Sequence, residues 1–163
     1  MLSLTLVVLM RAIHIVSAVA WAGAVFMVAG VLVPLIRRNG PDLGRVVGII
    51  AQRVGPVIGG AGVLAVLSGF YLFGALHRHD QSPAGLILGA GALAGLLSLA
   101  VGLLVARPAG RALAAINAGA ATEATPHISR LRSRAAASAR LMAALLALAV
   151  LAMATFRFAP AFV

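Results

Sequence analysis

The chain has 163 residues, of which 63% are hydrophobic and 10% are charged, whereas a soluble domain has about 25% charged residues. Its net charge of +10 comes from 13 arginines against three acidic residues; these arginines lie between apolar runs, so nucleic-acid binding is not expected. The absence of cysteine excludes disulfides, thiolate metal sites and cysteine nucleophiles. The composition predicts an integral membrane protein in which residues 1–163 form one domain.

Four segments are apolar over the length of about 20 residues that a helix needs to cross about 30 Å of hydrocarbon. They cover about residues 12–36, 56–76, 85–106 and 137–158. Residues 1–11 are expected to extend the first helix by a turn or two at the membrane surface. The predicted fold class is therefore all-α, a bundle of four transmembrane helices.

The connections between these segments have helical patterns of their own. In the first connection, residues 39–55, apolar residues recur at helical spacing, which predicts a short amphipathic helix in the membrane interface that leads into Pro56. The third connection, residues 107–140, is rich in alanine and arginine and is predicted to be helical. Its Thr125-Pro126 pair is typical of a helix N-cap followed by proline.

The distribution of arginine predicts the orientation of the chain. The first and third connections hold ten arginines, whereas the second connection and the chain ends hold Arg11, Arg78 and Arg157. Because cytoplasmic loops carry an excess of arginine, the two arginine-rich connections are expected in the cytoplasm, facing anionic lipid. The expected location is a bacterial inner membrane, with both termini on the periplasmic side.

Glycines recur in the second and third segments, with pairs such as Gly91-x-x-x-Gly95. This spacing lets helix backbones approach closely, so that van der Waals packing holds the helices together in lipid. Close helix packing is the expected role of these glycines, because none of them stands in a phosphate-binding pattern.

Several polar residues are expected in one layer near the outer surface. His14 lies three residues after Arg11 and four after Met10, so the three share one helix face. An ionisable residue inside a span usually faces the bundle and marks a function. The ends of the second and fourth spans add further members to this layer: His77, His79, Asp80, Met153 and Arg157.

Imidazole and thioether groups are ligands for haem iron and for copper. His14 is therefore the candidate metal ligand, with His77 or Met153 as a second, and Arg11 and Arg157 are candidates for binding haem propionates. Structural roles remain open for each of them: a helix-to-helix hydrogen bond for His14, solvation for His77, packing for Met153, and extension to lipid headgroups for the arginines. No catalytic residue is assigned.

Three short stretches resemble a known group of membrane proteins. They are His14-x6-Trp21-x-Gly23, Leu67-Ser68-Gly69-Phe70-Tyr71, and the ending from Met153 to Phe158. They resemble patterns in the copper resistance D (CopD-like) proteins, in the related DUF2269 family and, more distantly, in the HemJ-like protoporphyrinogen oxidases. The resemblance implies an inner-membrane helical bundle connected with copper handling or b-type haem, in which His14 is the ligand and Arg157 supports it.

Two functions follow as hypotheses. The first is a membrane protein with a haem- or copper-linked site near its outer face, used in redox chemistry or metal handling; whether it is an enzyme stays open. The second is a non-catalytic structural or assembly subunit that packs its glycine-rich faces against a larger membrane complex. The partners expected for the chain are the lipid bilayer and either further copies of itself, in a homo-oligomer, or such a complex. Colour separates the two hypotheses, because a b-type haem absorbs strongly at the blue edge of the visible spectrum.

Overall fold

The computed structural model describes residues 4–39, 41–77, 82–118 and 126–158, and within these ranges almost every residue is helical. Two short π-helical segments interrupt the α-helices: π1 (Val28–Leu32) joins α1 to α2, and π2 (Gly102–Ala106) joins α4 to α5. The α-helices, in chain order, are α1 (Leu4–Met27), α2 (Val33–Asn39), α3 (Pro41–Leu76), α4 (Pro83–Val101), α5 (Arg107–Ala118) and α6 (Pro126–Thr155).

Four helical runs are long and apolar enough to cross a membrane, which confirms the predicted all-α fold with four spans. They are Leu4–Asn39, Val46–Leu76, Pro83–Leu113 and His127–Phe158. Each run is longer than the apolar segment that predicted it, because the helices continue into the flanking sequence. The 36 residues of the first run rise about 54 Å, well beyond the ~30 Å of the hydrocarbon.

The four runs form two antiparallel hairpins. In the first hairpin α1 packs on α3, where His14 lies against Gly69. In the second hairpin α4 packs on α6, where Gly91 lies against Ala152. This up-and-down order places Leu4 and Thr155 at one end of the bundle, here called the termini end, and both arginine-rich connections at the other, here called the arginine-rich end.

The two hairpins meet in a small hydrophobic core. The first contributes Trp21, which is only 4% exposed, and the second contributes Met142 and Leu146. Ser98 is fully buried beside this core, and its hydroxyl donates a hydrogen bond to the carbonyl of Met142 at 3.3 Å. A buried hydroxyl without a partner is costly in an apolar interior. Separating α4 from α6 would leave the Ser98 hydroxyl unpaired, so this bond helps to hold the two helices together.

The first connection differs from its prediction as a separate interfacial helix. The structure continues it into the second span as one helix, α3, with Pro56 in its interior. Proline removes one backbone hydrogen bond and normally ends or bends a helix. Here every residue from 49 to 57 is exposed, so the carbonyl that Pro56 leaves free remains open to water or lipid headgroups.

The third connection is helical wherever the structure describes it. Residues 107–118 form α5, and α6 starts at Pro126, where the sequence predicted a helix start. Thr125, the predicted N-cap, lies outside the described residues together with residues 119–124.

Both π segments stand just before a proline. Pro34 follows the last residue of π1 by two positions, and Pro108 follows the last residue of π2 by the same number. A proline ring clashes with the carbonyl four residues before it, and here that residue, Gly30 or Leu104, belongs to the π turn. The two helices that run toward the arginine-rich end therefore widen in the same manner.

Candidate functional site

His14 is held by the backbone of the neighbouring helix. Its Nδ1 atom lies 2.8 Å from the carbonyl oxygen of Ala65 and 3.4 Å from the hydroxyl oxygen of Ser68, both on α3. A carbonyl oxygen can only accept a hydrogen bond, so Nδ1 carries a proton and donates it. In the neutral ring the lone pair is then on Nε2, which makes Nε2 the atom available to a metal.

Two glycines of α3 make this close approach possible. A Cβ atom at Gly69 would lie 2.9 Å from Cε1 and 3.2 Å from Nδ1 of His14. A Cβ atom at Gly62 would lie 3.0 Å from Cε2 of Trp21. His14 and Trp21 are seven residues apart, as are Gly62 and Gly69, so the α1–α3 contact follows a heptad seam in which each ring covers a glycine.

The serines along this seam are satisfied by their own helices. Ser68 is buried, and its hydroxyl donates to the carbonyl of Leu64 at 2.6 Å and approaches that of Ala65 at 3.2 Å. Ser17 donates in the same way to the carbonyl of Ile13 at 2.6 Å. The Ala65 carbonyl is therefore the closest acceptor to His14 Nδ1, and it sets the orientation of the imidazole.

His77 lies at the end of α3, beyond the level at which His14 of α1 contacts that helix. It directly follows the helix, eight residues after Gly69, which corresponds to about 12 Å of helix. Its ring stacks on Phe73 with centroids 6.3 Å apart and meets Phe156 edge-on at 6.0 Å. His77 thus connects the ends of α3 and α6, and the structure does not bring it beside His14.

The remaining predicted residues lie around the termini end. Arg11 is exposed one turn before His14, Arg157 is exposed just after α6, and Met153 is half-buried within α6. His79 and Asp80, also predicted for this layer, lie outside the described residues. Within the parts of the chain that the structure describes, no three His, Cys, Asp or Glu side chains come together as a metal-binding group.

Three groups that contact His14 were not predicted to do so: the Ala65 carbonyl, Ser68 and Gly69, although the last two lie in a stretch that carries the resemblance. A backbone carbonyl leaves no signal in a sequence, but the glycine does. Two large rings, His14 and Trp21, are seven residues apart on one helix. Two glycines that leave room for them, Gly62 and Gly69, have the same spacing on the other. One more polar group lies close in sequence: the Tyr71 hydroxyl is buried and has no hydrogen-bond partner among the described residues.

The four long apolar helices, whose surfaces expose many leucine, valine and isoleucine side chains, define a multi-pass helical membrane protein. No protein-family model matches the sequence, and neither a curated protein nor a solved structure matches it.

Proposed function

We propose that His14 is the ligand of a haem- or copper-linked site near the termini end of the bundle, which serves redox chemistry or metal handling. The observation that carries this proposal is the 2.8 Å hydrogen bond from Nδ1 to the Ala65 carbonyl. Metal-binding histidines usually donate their other ring N–H to a carbonyl or carboxylate, which fixes the tautomer and the ring orientation. The resemblance to CopD-like and HemJ-like proteins supports the same assignment.

The side chains around His14 have complementary roles in this proposal. Arg11 and Arg157 are exposed and would pair with anionic groups such as propionates. Met153 is the preferred second ligand, because it belongs to α6, which also contacts α1, whereas His77 lies about two turns beyond the level of His14. Trp21 is buried one heptad further from the termini end, where it covers Gly62.

The bound group would determine the chemistry. Haem with two protein ligands would support electron transfer, haem with an open position would support ligand binding or oxidation, and copper would make this layer an uptake site. In each case the protein contributes a fixed Nε2 lone pair, held by Ala65 and given space by Gly69.

The proposal is tested by a visible spectrum and a metal analysis of the detergent-purified protein beside the His14→Ala variant. We expect haem or copper in the wild type and its loss in His14→Ala. His127→Ala is the matched control, since His127 is exposed at the arginine-rich end and its loss should leave the bound group in place. A colourless, metal-free wild type would overturn the proposal and favour the structural-subunit hypothesis.

We also propose that the termini end faces the periplasm of a bacterial inner membrane and the arginine-rich end faces the cytoplasm. Ten arginines in the two connections at the arginine-rich end support this orientation. Because the chain has no cysteine, single-cysteine variants can report it directly.

In spheroplasts, a membrane-impermeant maleimide is expected to label Leu4→Cys, at the termini end, without permeabilisation. Ser133→Cys, exposed at the arginine-rich end, is expected to react only after permeabilisation. The opposite labelling pattern would show that the arginine-rich end faces the periplasm and would contradict the proposed orientation.

A further inference from the structure

The arginine-rich end carries far more positive charge than the chain can neutralise. Its two connections hold ten arginines and only two acids, Asp42 and Glu123, which leaves an excess of eight positive charges. All nine whose side chains the structure describes are exposed: Arg37, Arg38, Arg53, Arg107, Arg111, Arg130, Arg132, Arg134 and Arg140.

Three of these exposed arginines lie closer to the middle of the bundle, measured along its axis, than the others do. Gly44 of α3 lies against Ile36, so Arg53, nine residues further along α3, is level with π1. Gly102 lies against Met142, so Arg140, two residues before Met142, is level with π2. Arg107 directly follows π2. Because α6 contacts both π segments, these three side chains, here called the arginine belt, come from three different helices at about the same level.

The length of the first apolar segment indicates where the belt lies relative to the hydrocarbon. The first apolar segment begins near Ala12, and 18 residues, or about 27 Å of helix, separate Ala12 from Gly30 in π1. A hydrocarbon layer about 30 Å thick that begins at Ala12 therefore ends close to π1, which puts the belt near the phosphates of a lipid leaflet. The other arginines of this end, such as Arg37 and Arg134, lie further from the bilayer centre.

The surroundings of the belt are apolar and exposed. Arg53 lies among Ile50 and Val54, which are 56% and 44% exposed, and Arg140 precedes Leu141, which is 50% exposed. A guanidinium on a lipid-facing surface extends to the headgroup level, where phosphates are available as anionic partners. Its planar fork donates two parallel hydrogen bonds to a phosphate, which a point charge cannot do.

We propose that Arg53, Arg107 and Arg140 bind the phosphates of anionic phospholipids at the boundary of the leaflet around the arginine-rich end. The remaining arginines of that end supply a longer-range attraction that salt screens. The belt thereby selects the charge of the surrounding lipid, independently of any metal bound at the termini end.

The test measures thermal unfolding of the full-length protein by the fluorescence of its one tryptophan, which is buried in the core. The probe is phosphatidylcholine vesicles with and without phosphatidylglycerol. Phosphatidylglycerol is expected to raise the unfolding midpoint of the wild type. The variant Arg53→Gln/Arg107→Gln/Arg140→Gln is expected to lose most of that rise, at low and at high salt.

The matched control, Arg130→Gln/Arg132→Gln/Arg134→Gln, removes the same charge outside the belt and is expected to keep most of the rise at high salt. A set of Arg→Lys substitutions in the belt retains the charge, and it is expected to fold and to lose part of the effect. An equal loss in both glutamine variants, or no rise in the wild type, would overturn the proposal.

Discussion

Replacing Gly69 by alanine is expected to displace His14 and to release whatever His14 binds. The added methyl group would lie 2.9 Å from Cε1 and 3.2 Å from Nδ1 of the imidazole, closer than carbon atoms normally approach. The ring would have to swing away, and its 2.8 Å hydrogen bond to Ala65 would break with that movement. Overpacking of this kind costs about 1–3 kcal/mol, and the ligand geometry would be lost in addition.

The measurement pairs the visible spectrum or metal content of Gly69→Ala with its unfolding midpoint in detergent. Gly60→Ala is the matched control on the same helix, because a Cβ atom there has nothing within 4 Å. That control is expected to keep the bound group and to gain up to about 1 kcal/mol from helix propensity. Full retention of the bound group in Gly69→Ala would show that His14 is not the ligand.

Replacing Gly91 by alanine is expected to be the most destabilising of the glycine substitutions. The new methyl group would lie 2.7 Å from Cβ of Ala152 and 3.4 Å from the carbonyl oxygen of Ala149. Neither atom belongs to a flexible side chain, so α4 and α6 would have to move apart. Gly102→Ala meets only the mobile end of Met142, at 2.9 Å, and is expected to cost less.

Gly95→Ala is the control for this second prediction. It lies one turn along α4 from Gly91, and a Cβ atom there has nothing within 4 Å. Thermal unfolding of the three variants is expected to rank Gly91→Ala as the least stable, by about 1–3 kcal/mol relative to the wild type. A stable Gly91→Ala variant would mean that α4 and α6 are not in close contact at this position.

The spans were predictable because membrane crossing depends on apolar length, which a sequence displays directly. The continuity of α3 was not, because Pro56 is a strong local signal for a helix start. The helix continues through Pro56 because residues 49–57 are all exposed. The carbonyl that Pro56 leaves without an N–H donor can therefore accept a hydrogen bond from outside the protein. Sequence alone does not show which stretches will lack a neighbouring helix.

The glycine pair Gly91 and Gly95 illustrates a second limit. The sequence predicts that small residues meet a neighbouring helix, and Gly91 does meet Ala152, whereas Gly95 has open space beside it. Which glycine of the pair makes the contact depends on how the helix is rotated about its axis. Each residue along the helix turns the side-chain direction by about 100°. The partner of His14, the Ala65 carbonyl, could not be predicted for the same reason, because it depends on the rotation and register of α1 against α3.

The paired π segments have a consequence for stoichiometry. Val28 and Gly102, which begin them, are 74 residues apart, and so are Pro34 and Pro108. Each hairpin thus has a π segment followed by a proline in its first helix, at the same spacing. By that spacing, Leu88 stands in the second hairpin where His14 stands in the first. Under the proposal that His14 is the ligand, the second hairpin has a leucine and not an imidazole at the corresponding position, and the expected stoichiometry is one equivalent of metal per chain.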